Sequence, residues 1–391
     1  MNNINIIIII LVIILICIFG AVYSSYTSAV YASTINTKIQ PLDLFVCSTT
    51  NCDPDLFPNC YDASCGELLL KTVRGLFPIK DYYILSSYNS CNTGNSPKNN
   101  TVSISSLQNV IKQGVRLLDF EIYSINNEPI VSTSTTPTNY YMKESNNYVD
   151  FSDAFETVIN NAFSISTCPN PTDPIFISLR IKSTNQTMFD NLANIFKSYQ
   201  STTKYMLDPE YSFEYQKCSD GTDVLSCLSQ NITDLPIYLF NSKIIIMADR
   251  INTSILDNKN LMEFVNITTN SINCRLITNY EMKNSPDQVE LQSFNKISCT
   301  IVTPDSGSNP SNPSIQMANI LGIQFTAMNF SNVDSNLTEC INYFNKEGYS
   351  FVLKPVNLRS VPIIIKTVDP NPPSYSFAPR TIVSKYINAT I

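Results

Sequence analysis

Two kinds of apolar pattern run along this chain. Residues 6–22 form one stretch with nothing charged or polar in it except Cys17. At 1.5 Å per residue it makes a helix of roughly 25 Å, enough to span a thin bilayer. The segment in front, Met1-Asn-Asn-Ile-Asn5, has no Lys or Arg, whereas a secretory signal peptide begins with a basic region. The run predicts a transmembrane signal anchor over 1–24, and Val30-Tyr-Ala32 leaves cleavage as a signal peptide open. From about residue 80 the period changes. Short apolar runs alternate with helical repeats, which predicts parallel strands joined by crossover helices. Strands are expected at 82–87, 115–123, 174–179, 243–247, 320–329, 349–353 and 362–365, with a short β-type run at 237–240. Helices are expected at 105–113, closed by Gly114, and at 151–163, 188–199 and 336–344. Residues 251–300 carry no clear period and read as a link between two halves.

Composition narrows the class. A 43% hydrophobic content is ample for a sizeable core. The net charge of −7 argues against nucleic acid, which needs clustered Lys and Arg. Twelve cysteines include Cys47, Cys52, Cys60 and Cys65 in a loop-rich membrane-proximal segment, 25–79. Their spacing does not suit zinc, so disulfides are the expectation and scattered free thiols the alternative, with Cys218–Cys227 and Cys274–Cys299 as further candidate pairs. The anchor and the cysteines together predict a single-pass membrane protein whose soluble part faces a lumenal, extracellular or virion-surface compartment.

The motifs are more specific. Tyr83-Ile-Leu-Ser-Ser-Tyr-Asn-Ser-Cys-Asn-Thr-Gly94, Gly114-Val-Arg-Leu-Leu-Asp-Phe-Glu121, Asn127-Glu-Pro-Ile-Val131 and Pro174-Ile-Phe-Ile-Ser-Leu179 occur in that order. They resemble the X region of the phosphoinositide-specific phospholipase C catalytic barrel. Ile320-Leu-Gly-Ile-Gln-Phe-Thr-Ala-Met-Asn-Phe330 and Gly348-Tyr-Ser-Phe-Val-Leu-Lys-Pro-Val-Asn-Leu-Arg359 resemble its Y region. The resemblance implies an α/β fold, a TIM-type (β/α)8 barrel of the phospholipase C-like phosphodiesterase class. It implies an X-like half over 80–250, a link over 251–300, a Y-like half over 301–360 and a C-terminal tail over 361–391.

The chain has no histidine, and the chemistry of that family depends on two. By the resemblance, Tyr88 and Thr133 stand where they belong. A group exchanging a proton near neutral pH is needed there, and neither hydroxyl is one. The family's calcium ligands map onto Asn89, Asp119 and Glu121, but a further carboxylate is replaced by Arg180, whose fixed charge opposes a cation. Phosphate-binding positions fall on Met247 and Asp249, with Arg250 nearby, and the inositol contacts fall on Ile301 and Thr303. The expectation is a membrane-anchored pseudoenzyme that needs no cofactor, with calcium relevant only to a working site. It would serve as a scaffold for a protein partner or a lipid headgroup. The alternative is an active phosphoric diester hydrolase with a rearranged, histidine-free site.

Overall fold

The computed structural model describes residues 34–42, 77–135, 142–213, 231–251, 253–360, 379 and 381–390. They fall in two units, Met1–Arg359 and Ser360–Ile391. The first unit opens with β1 (Tyr82–Ser87), α1 (Ile104–Lys112) and β2 (Leu117–Ile125), then the paired strands β3 (Glu128–Ser132) and β4 (Val149–Asp150). It continues through α2 (Phe151–Asn161), β5 (Ile175–Ile181), α3 (Gln186–Thr202), β6 (Ile244–Asp249), α4 (Lys259–Met262) and β7 (Ile267–Thr269). Then come β8 (Cys274–Thr278), α5 (Asn279–Lys283), α6 (Gln288–Ile297) and β9 (Cys299–Thr303). It closes with α7 (Ile315–Ile320), β10 (Phe325–Met328), α8 (Ser335–Glu347) and β11 (Phe351–Leu353).

Eight strands pair in parallel in the order β7-β6-β5-β2-β1-β10-β9-β8. This is a nearly closed TIM-type barrel, with no pairing between β7 and β8 among the described residues. The period-two alternation of each strand sorts its side chains. Ile84, Leu117, Phe176, Ile245, Ile301 and Phe325 point into the barrel, where Phe176 and Phe325 meet edge to face at 5.1 Å. Leu85, Leu118, Ile177 and Ile246 point outward under the helices. Each fully buried side chain of this size contributes about 1.5–3 kcal/mol. Two to four residues further along, the inward column turns polar at Tyr88, Asp119, Glu121, Ser178, Arg180 and Asp249. The barrel therefore has an apolar floor and a polar mouth at the C-terminal ends of its strands.

The floor is sealed from below. Arg116, fully buried, donates to the carbonyls of Ala162 at 3.2 Å and Asp173 at 3.4 Å, and to Asn170 Oδ1 at 2.9 Å. Residues 34–42 dock at the same N-terminal end. The Leu42 N–H donates to Asp173 Oδ1 at 2.7 Å, Gln40 bridges Tyr349, and the Leu42 side chain joins the inner apolar cluster. The α1 helix starts at Ser103, whose hydroxyl accepts from the Ser106 N–H, and buries Leu107, Val110 and Ile111. Gly114, at φ 82°, then turns the chain into β2.

Several expectations need correction. Residues 251–300 are no mere link. They supply β7 and β8, short strands whose polar positions hide the period. Residues 237–240 form a 3₁₀ turn behind Pro236 with Ile237 and Phe240 buried in the barrel. Helix α7 occupies the start of the expected 320–329 strand's approach, and β10 is confined to Phe325–Met328. Cys274 and Cys299 are free thiols, not a disulfide. They are register partners on parallel β8 and β9. Side chains so paired stand side by side about 4.8 Å apart, whereas a disulfide draws its Cβ atoms to about 3.8 Å. Cys91, Cys168 and Cys340 are also free and buried. Among the described residues no helix is long and apolar enough to cross a membrane. The 6–22 run, Cys47 to Cys65, Cys218, Cys227 and the expected 362–365 strand lie outside the described residues. In the second unit, β12 (Thr381–Val383) pairs antiparallel with β13 (Asn388–Thr390).

Candidate active site

Arg180 sits at the centre of the mouth. It lies on β5 beside Glu121 of β2, its register partner, and faces inward with Asp119. Its Nε donates to Asp119 Oδ1 at 3.0 Å and Oδ2 at 3.2 Å, and its Nη2 donates to Asp119 Oδ2 at 3.0 Å. Nη1 donates to Glu121 Oε2 at 3.4 Å, and Nη2 also reaches Asn89 Oδ1 at 2.5 Å. The guanidinium carbon lies 4.5 Å from the centre of the Tyr88 ring, a cation–π contact. Burial alone would lower the Arg180 pKa. Asp119, then Tyr88 and Glu121, outweigh it and hold the group well above the ordinary guanidinium value.

Both carboxylates have other donors. Asp119 accepts from the Asn89 N–H at 3.0 Å and from Ser178 Oγ at 3.3 Å. Glu121 Oε1 accepts from Tyr123 OH and Ser134 Oγ, each at 2.7 Å, and lies 3.5 Å from Lys182 Nζ. Burial lowers the Lys182 pKa despite Glu121. Asn89 holds a left-handed backbone, φ 45°, a conformation that asparagine adopts more readily than other residues with a side chain. It is 4% exposed, and its Nδ2 has no partner. Burial pushes the Tyr88 phenol up to about 12, so it stays neutral at physiological pH. Asp249, at the end of β6, accepts on Oδ1 from the Ile251 N–H at 2.9 Å, Thr269 Oγ1 at 3.2 Å and Asn270 Nδ2 at 3.2 Å. Burial raises its pKa in spite of these bonds.

Thr133 stands apart. Its hydroxyl donates to the Pro97 carbonyl at 2.7 Å, and its neighbour Ser134 is the one that meets Glu121. The sequence reading missed Tyr123, Ser134, Ser178 and Lys182. A signal existed for three of them, since each lies two positions along a strand from Glu121 or Arg180 and so shares its face.

Residues 77–218 match the profile described as phosphatidylinositol-specific phospholipase C, X domain. Among solved structures, PLC21 of S. officinalis aligns with a TM-score of 0.56 at 18% identity, covering 74% of this chain and 38% of that one. PLC21 of L. pealei aligns with a TM-score of 0.55 at 17% identity, covering 74% and 39%. This is a phosphoinositide-specific phospholipase C-like protein. The phospholipase C-like chain spans about two fifths of the length of the PLC21 structures, and at this identity they speak for the fold alone. No curated protein matches it by sequence.

The remaining positions of the phospholipase C-like barrel are filled differently from a ligand site. Met247 and Ile301 belong to the apolar interior. Thr303 is buried, with Oγ1 3.5 Å from the Ile277 carbonyl. Arg250 is half-buried just beyond β6. Calcium needs six to eight oxygen ligands. The oxygens that converge here, Asn89 Oδ1 and those of Asp119 and Glu121, converge on a guanidinium whose charge repels a second cation. With Arg180 in place these residues do not fit the ion. Among the described residues no other cluster of His, Cys, Asp and Glu could hold a metal.

Proposed function

We propose that this phospholipase C-like barrel does not hydrolyse phosphodiesters and acts as a scaffold that binds a protein partner, tethered to a membrane through residues 6–22. The observation that carries this reading is Arg180 lodged among Asn89, Asp119 and Glu121. Hydrolysis of this kind needs an acid, a base and stabilisation of charge developing on phosphorus. The chain has no histidine, the Tyr88 phenol is held near 12, and the guanidinium is already neutralised by two carboxylates. A phosphorylated headgroup entering this mouth would meet Asp249 as well as two cations already paired with carboxylates. Electrostatics therefore favour a protein over a lipid headgroup as the bound molecule.

The test is release of inositol phosphates from phosphatidylinositol and its bisphosphate by the full chain, in calcium and in chelator, beside an active phospholipase C. The expected result is no turnover from folded protein. A second reading rests on Asp249, whose raised pKa would suit a carboxylic acid donating a proton. Turnover that disappears in Asp249→Asn would replace the scaffold reading with a histidine-free hydrolase.

A further inference from the structure

We propose that the floor of the barrel is a lipid-facing surface, on which Ile272, Ile297, Ile320 and Val356, framed by lysines, settle into the headgroup region of an anionic membrane. The proposal rests on the tether through residues 6–22, because four aliphatic side chains are too small an anchor to hold the chain on a bilayer alone. All four residues lie at the N-terminal ends of the strands. Ile272 stands two residues ahead of β8, Ile297 two ahead of β9, and Ile320 ends α7 before β10. Val356 follows β11, which runs antiparallel to β1 and returns the chain to the floor. Each is 60–67% exposed. The end of α6 gathers them. Ser298 Oγ donates to the Ile272 carbonyl at 3.0 Å, and Gln292 and Asn295 donate to the Ile320 and Leu321 carbonyls, each at 2.8 Å. Lys354, two residues before Val356, bonds the Asn295 carbonyl. Single exposed aliphatics are ordinary on a protein surface, but four around one helix end mark a surface that meets something apolar.

Charge decides what that is. Helices that return to the floor end there, and a helix C-terminus favours cations. Lys112, Lys296 and Lys346 fill the last turns of α1, α6 and α8. Lys38 and Lys204 reach solvent at the same end, against Asp208, Glu210 and Glu347. Lysine stems can lie along apolar surface while their ammonium groups meet headgroup phosphates. The mouth also exposes apolar residues, but each stands at a carboxylate. The Ile251 N–H donates to Asp249, the Tyr280 N–H donates to Asp305 Oδ1 at 2.6 Å, and Val333 precedes Asp334. Anionic lipid is drawn to the first set and repelled by the second. The net charge of −7 does not prevent this, since at physiological salt only charges within about 8 Å of the headgroups are felt. Residues 34–42, which follow the apolar 6–22 run in sequence, dock at this end too.

The chain has no tryptophan, so one introduced tryptophan reports on its own surroundings. Full-length Ile297→Trp, Val356→Trp and, at the mouth, Tyr280→Trp would each be reconstituted into vesicles of phosphatidylcholine and phosphatidylserine, with and without brominated acyl chains. Ile297→Trp and Val356→Trp emission should shift to the blue on reconstitution and fall by at least about half with brominated lipid. Tyr280→Trp emission should do neither. Adding Ile320→Asp to Val356→Trp should weaken its quenching. Vesicle-bound chain in which the two floor positions stay unquenched, or in which Tyr280→Trp is quenched more than they are, overturns the proposal and leaves the tether standing. Floor emission that is already blue before vesicles are added overturns it as well, because the chain would then cover the patch itself. A chain that does not associate with vesicles at all removes the tether and the proposal together.

Discussion

A single guanidinium determines what the charged residues of the mouth can do, and its removal has a cost. Arg180→Ala leaves Asp119 and Glu121 buried without their main counter-charge, and breaking a buried pair in this way costs about 3–5 kcal/mol. Urea unfolding should register a loss of that size, whereas removal of an exposed pair such as Arg275–Glu290 should cost under about 1 kcal/mol. Lys354 gives a second residue-level prediction. It is 1% exposed, its Nζ donates to the Asn295 carbonyl at 2.9 Å, and burial pushes its pKa down to about 7. In the unfolded chain a lysine titrates near 10.4. Below about pH 7 both states are protonated and the burial penalty is fully felt. Between there and about pH 10 the unfolded state binds more protons, so this residue's contribution to stability rises with pH. Lys354→Met should flatten that slope in the pH dependence of urea unfolding. It should also be more stable than wild type at pH 6. The motif spacing made Tyr88, Asn89, Asp119, Glu121 and Arg180 legible in the sequence. Of the donors behind the carboxylates, Tyr123 and Ser178 had a signal in their spacing along the strands, whereas Ser134 lies beyond β3 and its partner shows only in the folded chain.

Elements were legible in proportion to how strongly both of their faces are buried. The β1 strand, Tyr82–Ser87, is apolar on both sides and its bounds follow from the sequence. Helix α3 reaches beyond its expected bounds to Gln186–Thr202 because Asn185 caps it, accepting from the Thr187 and Met188 N–H groups. The strands β7 and β8 escaped notice since three to five residues rich in threonine carry too little periodicity, and only their partners β6 and β9 define them. The α1–β2 turn offers a test at this scale. A Cβ at Gly114 would stand 3.0 Å from Ile39 Cγ2 and 3.2 Å from Pro169 Cγ, with the backbone in the left-handed region. Gly114→Ala should therefore lose more than about 1 kcal/mol. It should also loosen residues 34–42, seen as faster amide exchange there than in wild type.

For the molecule as a whole, the buried thiols make the state of the barrel easy to read. Cys91, Cys168, Cys274, Cys299 and Cys340 are unpaired and at most 1% exposed, and burial raises their pKa values. A low thiolate fraction and poor access both slow alkylation. Peptide mapping after brief iodoacetamide treatment should find these residues unmodified in native protein and modified in urea. Labelling of Cys274 or Cys299 without denaturant would mean that the barrel opens between β8 and β9. The docking of residues 34–42 has a different consequence. If residues 6–22 lie in a bilayer, residues 23–33 are the only leash between it and the barrel floor, and fully extended they reach about 37 Å. The nine residues of β2 are about 30 Å from end to end, so swinging the barrel over would use nearly the whole leash. With that anchor in place, so short a leash would favour a floor-down stance, with Arg180 and its neighbours facing away from the surface. In that stance, lipids of the same leaflet would be the molecules this mouth is least able to meet, and whatever enters it would arrive from the aqueous side.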